Sequence, residues 1–169
     1  DDPTGYPADL WKQLGALDLL GLTLPEEYGG SGQSLLEAAI VYEQFGRALT
    51  PSPHFVSSVM SGGVLAAAGS DDQKKEWLPR IASGDAVLSI AWLEPESGFG
   101  PRGVHLEATL DGDEVVLAGS KLHVPFASSA DRLLVLARTG GSDTDVDLFL
   151  VDPQASGVTL AQQMTIASD

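Results

Sequence analysis

The chain has 169 residues, no cysteine and a formal net charge of −15 at pH 7. This length suits one large domain or two small ones, and the lack of cysteine excludes disulfides, thiolate nucleophiles and cysteine-ligated metal sites. The strong negative charge makes nucleic acid and anionic membranes poor partners, because both repel an acidic surface.

The sequence also indicates in which cellular compartment the protein is expected. The chain contains no apolar run of the roughly twenty residues that a bilayer-spanning helix needs, and it opens without a charged-then-apolar leader. These features favour a cytoplasmic protein with no membrane contact. The first four residues are expected to be a cut end and not the natural start of the protein. Three histidines have no metal-ligand spacing among them, so no metal site is predicted; they are His54, His105 and His123.

Apolar residues recur at helical spacing in the first half of the chain, which predicts helices there. The two clearest stripes are Leu10, Leu14, Leu17 and Gly21, and then Ala38, Val41, Tyr42, Phe45 and Leu49. Ser34 with Glu37 forms the pattern of a capping box, and Ser70 with Gln73 repeats it, so helices are expected to begin after both serines. The segment 55–69 is apolar and rich in small residues, which predicts a helix that is buried on most sides.

The second half changes to short apolar and alternating runs, which predict strands. The candidates are 86–93, 104–110, 114–117, 132–137 and 146–151. Asp111-Gly112-Asp113 is a tight hairpin signal between two of them. The change of pattern at 83–85 predicts an α+β protein. Its helical amino-terminal domain would span 1–84, and a small antiparallel β-domain, expected to be incomplete at its end, would span 85–169.

Several short motifs follow one another in a specific order along almost the whole chain. They include Pro25-Glu26-Glu27-Tyr28-Gly29-Gly30, Leu93-Glu94-Pro95 and Gly119-Ser120-Lys121. Each motif is weak alone, but in this order and at this separation the chain resembles the acyl-CoA dehydrogenase family. The resemblance implies the amino-terminal helical domain and the middle β-domain of that family.

The resemblance implies an activity as well: the FAD-dependent α,β-dehydrogenation of an acyl-CoA thioester. In that chemistry a carboxylate removes the α-proton while a hydride leaves to the flavin. In most members a third, carboxy-terminal helical domain supplies the catalytic glutamate, and nothing in this sequence corresponds to it. The chain is therefore expected to be part of a longer protein, to contain no catalytic residue and to be inactive alone.

The cofactor-binding positions that the resemblance implies are Trp92, Leu93, Gly98, His123 and Pro125. Three of them depart from the family pattern. Leu93 replaces a flavin-contacting Thr, His123 replaces a Trp that covers the flavin, and Pro125 replaces a Thr and has neither a hydroxyl nor an amide hydrogen. A degraded or strongly altered flavin site is expected, with backbone contacts retained, so the isolated chain should bind free FAD weakly or not at all. An ordinary strand position is an equally weighted alternative for His123.

The resemblance also implies a set of substrate-binding positions. Val56 and Met60 would face the acyl pocket from the predicted helix 55–69, and Phe99 would lie near the CoA. Plain helix packing remains an alternative for Val56 and Met60. Glu94 precedes a proline, which favours extended backbone, and the resemblance implies a structural role for it.

Three functional hypotheses remain open at this point. The first is a homomeric FAD-dependent acyl-CoA dehydrogenase with an atypical flavin pocket. The second is a non-catalytic partner subunit of a heteromeric acyl-CoA dehydrogenase, which the replaced donors favour. The third is an oxidase or monooxygenase on the same fold, because fold alone does not fix chemistry. The stretch 45–53 is similar to actinobacterial members, many of which act on steroid side-chain thioesters.

Overall fold

The structure is a computed structural model, and it describes residues 4–95, 98, 100–112 and 114–163. Helices fill the first half of the described chain and strands fill the second. The helices are α1 (Ala8–Ala16), α2 (Leu35–Ala48), a π-helix (Phe55–Ser61), α3 (Gly62–Ala68) and α4 (Asp71–Ser83). The strands are β1 (Leu88–Ala91), β2 (Glu107–Asp111), β3 (Glu114–Ala118), β4 (Arg132–Arg138) and β5 (Val146–Val151). The predicted α+β class is confirmed.

Both predicted capping boxes are present. The Ser34 amide donates to the Glu37 carboxylate at 2.9 Å, and the Ser34 hydroxyl accepts from the Leu36 amide at 3.2 Å. At α4 the Ser70 amide donates to Gln73 Oε1 at 2.9 Å, and the Gln73 amide donates to Ser70 Oγ at 3.3 Å. These bonds satisfy amides that would otherwise lack partners in the first turn, so each helix begins where the sequence predicts.

The predicted helix 55–69 is helical throughout most of its length, but its first part is a π-helix. The Ser61 hydroxyl donates to the Val56 carbonyl at 2.7 Å, a contact across five residues. That spacing matches the wider π-helical turn. The Ser57 hydroxyl accepts from the Leu88 amide at 3.1 Å, so this helix is also tied to β1. The serine hydroxyls bond to backbone groups and so compete with the hydrogen bonds of an α-helix. This competition accounts for the π-helical geometry of Phe55–Ser61.

The sheet is mixed and not purely antiparallel, which corrects one part of the sequence prediction. β4 is the central strand: β1 pairs with it in parallel, and β5 pairs with it antiparallel. β2 also meets the end of β4 in parallel, with Glu107 opposite Arg138. The predicted β2–β3 hairpin is antiparallel, as expected, with Asp113 outside the described residues. Short apolar runs predict strands but not their direction, which for β4 depends on the long connection from β1 that contains this hairpin.

The core joins the two halves of the chain through β1. Leu88 and Ile90 belong to a cluster with Trp77, Leu78 and other helical side chains. Ala91 belongs instead to the cluster inside the sheet. β1 is therefore buried on both faces, as an apolar run without a polar stripe predicts. Within the described residues, no helix combines the length and apolarity that a membrane crossing requires.

Candidate functional site

The structure brings two predicted site segments together at the end of β1. The Leu122 amide donates to the Leu93 carbonyl at 2.9 Å in an isolated antiparallel bridge. The buried Ser89 hydroxyl donates to the Pro125 carbonyl. Trp92 and Leu93 thus lie beside the segment that carries His123 and Pro125. We call these two stretches, 92–93 and 121–126, the rim.

The rim faces solvent. Trp92 directly follows β1 and is 41% exposed, which is unusual for such a large apolar side chain. His123 and Pro125 are also exposed, as is Gly98, whereas Leu93 is half-buried. Four of the five predicted cofactor positions are therefore exposed, and Leu93 is half-buried, so none of the five lies in the core.

The 121–126 segment makes an unusual turn. His123 has φ 51° and Phe126 has φ 52°, both in the left-handed region that residues other than glycine seldom adopt. The Phe126 ring packs edge-on against Tyr6 with centroids 6.0 Å apart. The His123 amide donates to Gln163 Oε1 at 3.3 Å. His123 lies outside the regular strands, and such backbone strain is often found at functional sites. A role for His123 in flavin binding stays a prediction.

A buried ion pair lies behind the rim. The Glu94 carboxylate is 2.6 Å from Lys121 Nζ, and both side chains are only 6% exposed. Glu94 also accepts bonds from the amides of His105 at 2.9 Å and Leu106 at 3.1 Å. Burial raises the pKa of Glu94 and is the largest single effect. The bonds from Lys121 and the two amides, with the positive charge of Lys121, outweigh it and hold the pKa below its usual range.

The sequence predicts a structural role for Glu94 but not its partner. The two residues are 27 positions apart, so no local pattern links them. One signal was available: Lys121 is the only lysine after Lys75. A lone lysine in the strand-rich half of the chain hints at a specific partner, but it does not identify Glu94 as that partner.

A second cation holds the chain near the rim. Arg138, at the end of β4, donates to the Pro101 carbonyl at 2.7 Å and to the Val104 carbonyl at 2.8 Å. Gly103 packs so closely on Gly98 that a Cβ atom at Gly103 would lie 2.2 Å from the Gly98 carbonyl oxygen. The 100–106 segment is therefore fixed at several points beside the rim.

The predicted substrate positions are less exposed. Val56 is buried in the helical core cluster, and Met60 packs against that cluster. The packing alternative therefore describes the contacts seen here, and their role in an acyl pocket stays a prediction. Phe99 lies outside the described residues. Among the residues that are described, no group of three or more His, Asp or Glu side chains is placed to hold a metal ion.

A second polar feature lies in the helical half, at a histidine for which the sequence predicts no functional role. His54 is buried, with Nδ1 2.6 Å from the Tyr42 hydroxyl and Nε2 2.9 Å from the Leu19 carbonyl. The carbonyl requires a proton on Nε2, so Nδ1 accepts from Tyr42. Burial lowers the pKa of His54, and the bond to Leu19 only partly opposes this shift. A groove of about 340 Å³ runs beside this pair, between Phe45 and Phe55.

The chain is similar to known protein families, to curated proteins and to solved structures along almost its whole length. Two family models match it: the acyl-CoA dehydrogenase N-terminal domain over residues 1–85 and the acyl-CoA dehydrogenase middle domain over residues 89–167. The acyl-CoA dehydrogenase FadE12 of Mycobacterium tuberculosis is 35% identical over 158 residues, covering 90% of this chain and 40% of that protein. The chain thus spans well under half the length of this curated relative.

Solved structures share the same fold. The Tcur3481-Tcur3483 steroid ACAD matches 98% of this chain and 44% of that chain, with 32% identity and a TM-score of 0.86. The ChsE4-ChsE5 complex from Mycobacterium tuberculosis matches 95% and 42%, with 30% identity and a TM-score of 0.86. An acyl-CoA dehydrogenase from Bacillus anthracis, solved with FAD, matches 93% and 28%, with 30% identity and a TM-score of 0.80.

Proposed function

Because this chain belongs to the acyl-CoA dehydrogenase family, we propose that it is part of a subunit that serves the FAD-dependent dehydrogenation of an acyl-CoA thioester. The observation that carries this proposal is the match of both acyl-CoA dehydrogenase domain models, in order, along almost the whole chain. The rim, where Leu93 and Leu122 join two partly exposed segments after β1, decides what kind of subunit it is. When bound, FAD would supply the hydride acceptor. We propose a helical domain over 1–84 and a β-domain over 85–169, in a cytoplasmic protein.

The replaced rim positions supply few hydrogen-bond donors, which supports a divergent flavin site. Leu93 has an apolar side chain, and its carbonyl already accepts from Leu122. Pro125 has no amide hydrogen. The amide of His123 donates to Gln163. Since a reduced flavin carries negative charge that donors must stabilise, these residues do not fit a tight flavin site. We infer that this chain alone binds FAD weakly and is inactive.

The same observation favours a second candidate function: a non-catalytic partner subunit in a heteromeric acyl-CoA dehydrogenase. A partner must keep the fold in order to assemble, but it has no need of flavin donors at its own rim. The similarity to the two-component Tcur3481-Tcur3483 and ChsE4-ChsE5 structures supports this candidate. A homomeric assembly would require the rim to bind flavin despite the replacements. Fatty-acyl and steroid side-chain thioesters are the substrate classes to test.

An activity assay tests both candidates. The full-length protein is purified alone and co-purified with a second acyl-CoA dehydrogenase subunit of the same organism. Reduction of an artificial electron acceptor is then followed with fatty-acyl-CoA and steroid side-chain CoA thioesters. Activity of the protein alone supports the first candidate, and activity only after co-purification supports the partner subunit. Failure of both preparations on every thioester would contradict the proposed function.

A further inference from the structure

The Glu94 carboxylate joins three separate parts of the chain. It lies directly after the rim residues 92–93, and its oxygens accept bonds from Lys121 in the other half of the rim. The same oxygens accept bonds from the amides of His105 and Leu106, at the end of the 100–106 segment. One side chain therefore fixes both halves of the rim and the neighbouring segment relative to one another.

Glu94 is not placed to exchange protons with a ligand. Its carboxylate is buried, and each of its two oxygens already accepts at least two hydrogen bonds. It also lies behind the rim and not on the exposed surface. These contacts exclude a general acid or base role for Glu94 in this arrangement. Its bonds can still act by fixing the geometry of the segments that they connect.

The energetics of the buried ion pair also indicate a positioning role for Glu94. A buried ion pair often gives no more stability than a well-packed apolar pair of similar size, because both charges must be desolvated. Its directional bonds, however, permit only one arrangement of the connected segments. Arg138 holds the Pro101 and Val104 carbonyls, so the 100–106 segment is fixed by a second side chain at other positions.

We propose that Glu94 is a positioning residue that sets the geometry of the ligand-binding rim by fixing the 100–106 segment and Lys121 beside Trp92 and Leu93. The part of this proposal that concerns ligand binding rests on the proposed function. The part that concerns geometry is independent of any ligand. The two parts are tested separately.

Limited trypsin digestion tests the geometry. Arg102 is an exposed cleavage site in the middle of the 100–106 segment, and Arg80 in α4 serves as an internal reference. In Glu94→Gln, cleavage after Arg102 should become about tenfold faster relative to cleavage after Arg80, because the anchored segment opens locally. Glu94→Asp keeps the charge but shortens the side chain, so a severalfold increase is expected. The Glu94→Asp variant is used for the test if Glu94→Gln does not fold.

Two control variants separate positioning from general destabilisation. Leu65→Ala removes a buried side chain from the helical core and should accelerate cleavage at both arginines in proportion. Glu114→Gln neutralises an exposed carboxylate on β3, away from Arg138, and should leave both rates unchanged. If the Arg102-to-Arg80 ratio in the Glu94 variants equals that of Leu65→Ala, the positioning role is wrong.

Flavin binding provides the second readout. In the full-length protein purified alone, the Kd for added FAD, already weak in the wild type, should rise about tenfold in Glu94→Gln and remain within twofold in Leu65→Ala. Unchanged flavin affinity in Glu94→Gln would overturn the ligand-binding part of the proposal even if cleavage increases. If no wild-type preparation holds flavin or is active, the proposed function fails, whereas the trypsin result still decides the geometric part.

Discussion

At the scale of single residues, the charge of Glu94 has consequences that depend on pH. Its folded-state pKa is held below the usual range, so its ionised form stabilises the fold above the unfolded-state pKa. That contribution is lost as the pH falls through the folded-state value. Replacement by Gln would leave Lys121 buried without its counter-charge.

We therefore expect Glu94→Gln to lower the free energy of unfolding by about 3 kcal/mol at pH 7. The difference from the wild type should begin to shrink as the pH falls below about 4.3, the ordinary glutamate pKa, because the unfolded wild type then takes up a proton before the folded protein does. Urea denaturation across this pH range measures both effects. Glu114→Gln, at an exposed site, should change stability by less than about 0.5 kcal/mol. Equal losses in the two variants would contradict the account.

The rim shows what the sequence can predict at this scale. The missing hydroxyl of Leu93 and the missing amide hydrogen of Pro125 are properties of the residues themselves, so the sequence alone reveals them. The motif order predicts that these positions belong to one site. The partnership of Glu94 with Lys121 is a contact across 27 positions and depends on the fold. The left-handed φ of His123 is likewise set by its surroundings.

The buried His54 gives a second prediction of pH dependence. Its folded-state pKa is lowered by burial, so the unfolded state takes up the proton first as the pH falls through about 6.5. The wild-type free energy of unfolding should therefore decrease between pH 7.5 and 5.5. His54→Gln should show a flatter profile in the same range. A profile equally steep in both proteins would show that another group causes the pH dependence.

At the scale of elements, the π-helix and β1 are connected by one serine. The fully buried Ser57 hydroxyl accepts from the Leu88 amide. Ser57→Ala should lower the free energy of unfolding by about 2 kcal/mol, because a buried amide would lose its partner. Ser128→Ala, at an exposed position, is the matched control and should have almost no effect. Chemical denaturation measures the free energy of unfolding of both variants. Similar losses in the two would contradict the prediction.

The elements differ in how well the sequence predicts them. The capping boxes at Ser34 and Ser70 are local patterns, and both helices begin where expected. The π-helical geometry of Phe55–Ser61 depends on hydroxyl partners, one of which lies on β1, so helical periodicity alone does not predict it. The direction of β4 relative to β1 depends on the connection between them, and this explains why the expected antiparallel sheet is mixed.

At the scale of the whole molecule, one core links the helical half to the sheet through β1. α2 contributes no residue to the two clusters that β1 joins, and its Phe45 packs instead on a third cluster around Trp11 and Leu14. In α2 only Ala38 is buried, whereas Leu35, Leu36 and Ile40 are all more than half exposed.

The chain covers only 40% of its curated relative FadE12. Activity, substrate and assembly are therefore properties to test on the full-length protein.

The central claim is that this rim no longer binds flavin tightly by itself. The most direct test is the visible absorption spectrum of the full-length protein, purified alone and after co-purification with a second acyl-CoA dehydrogenase subunit. We predict no flavin band for the protein alone and a clear band for the co-purified complex. A stoichiometric flavin band in the protein alone would contradict the claim and would show that Leu93, His123 and Pro125 form a working flavin site.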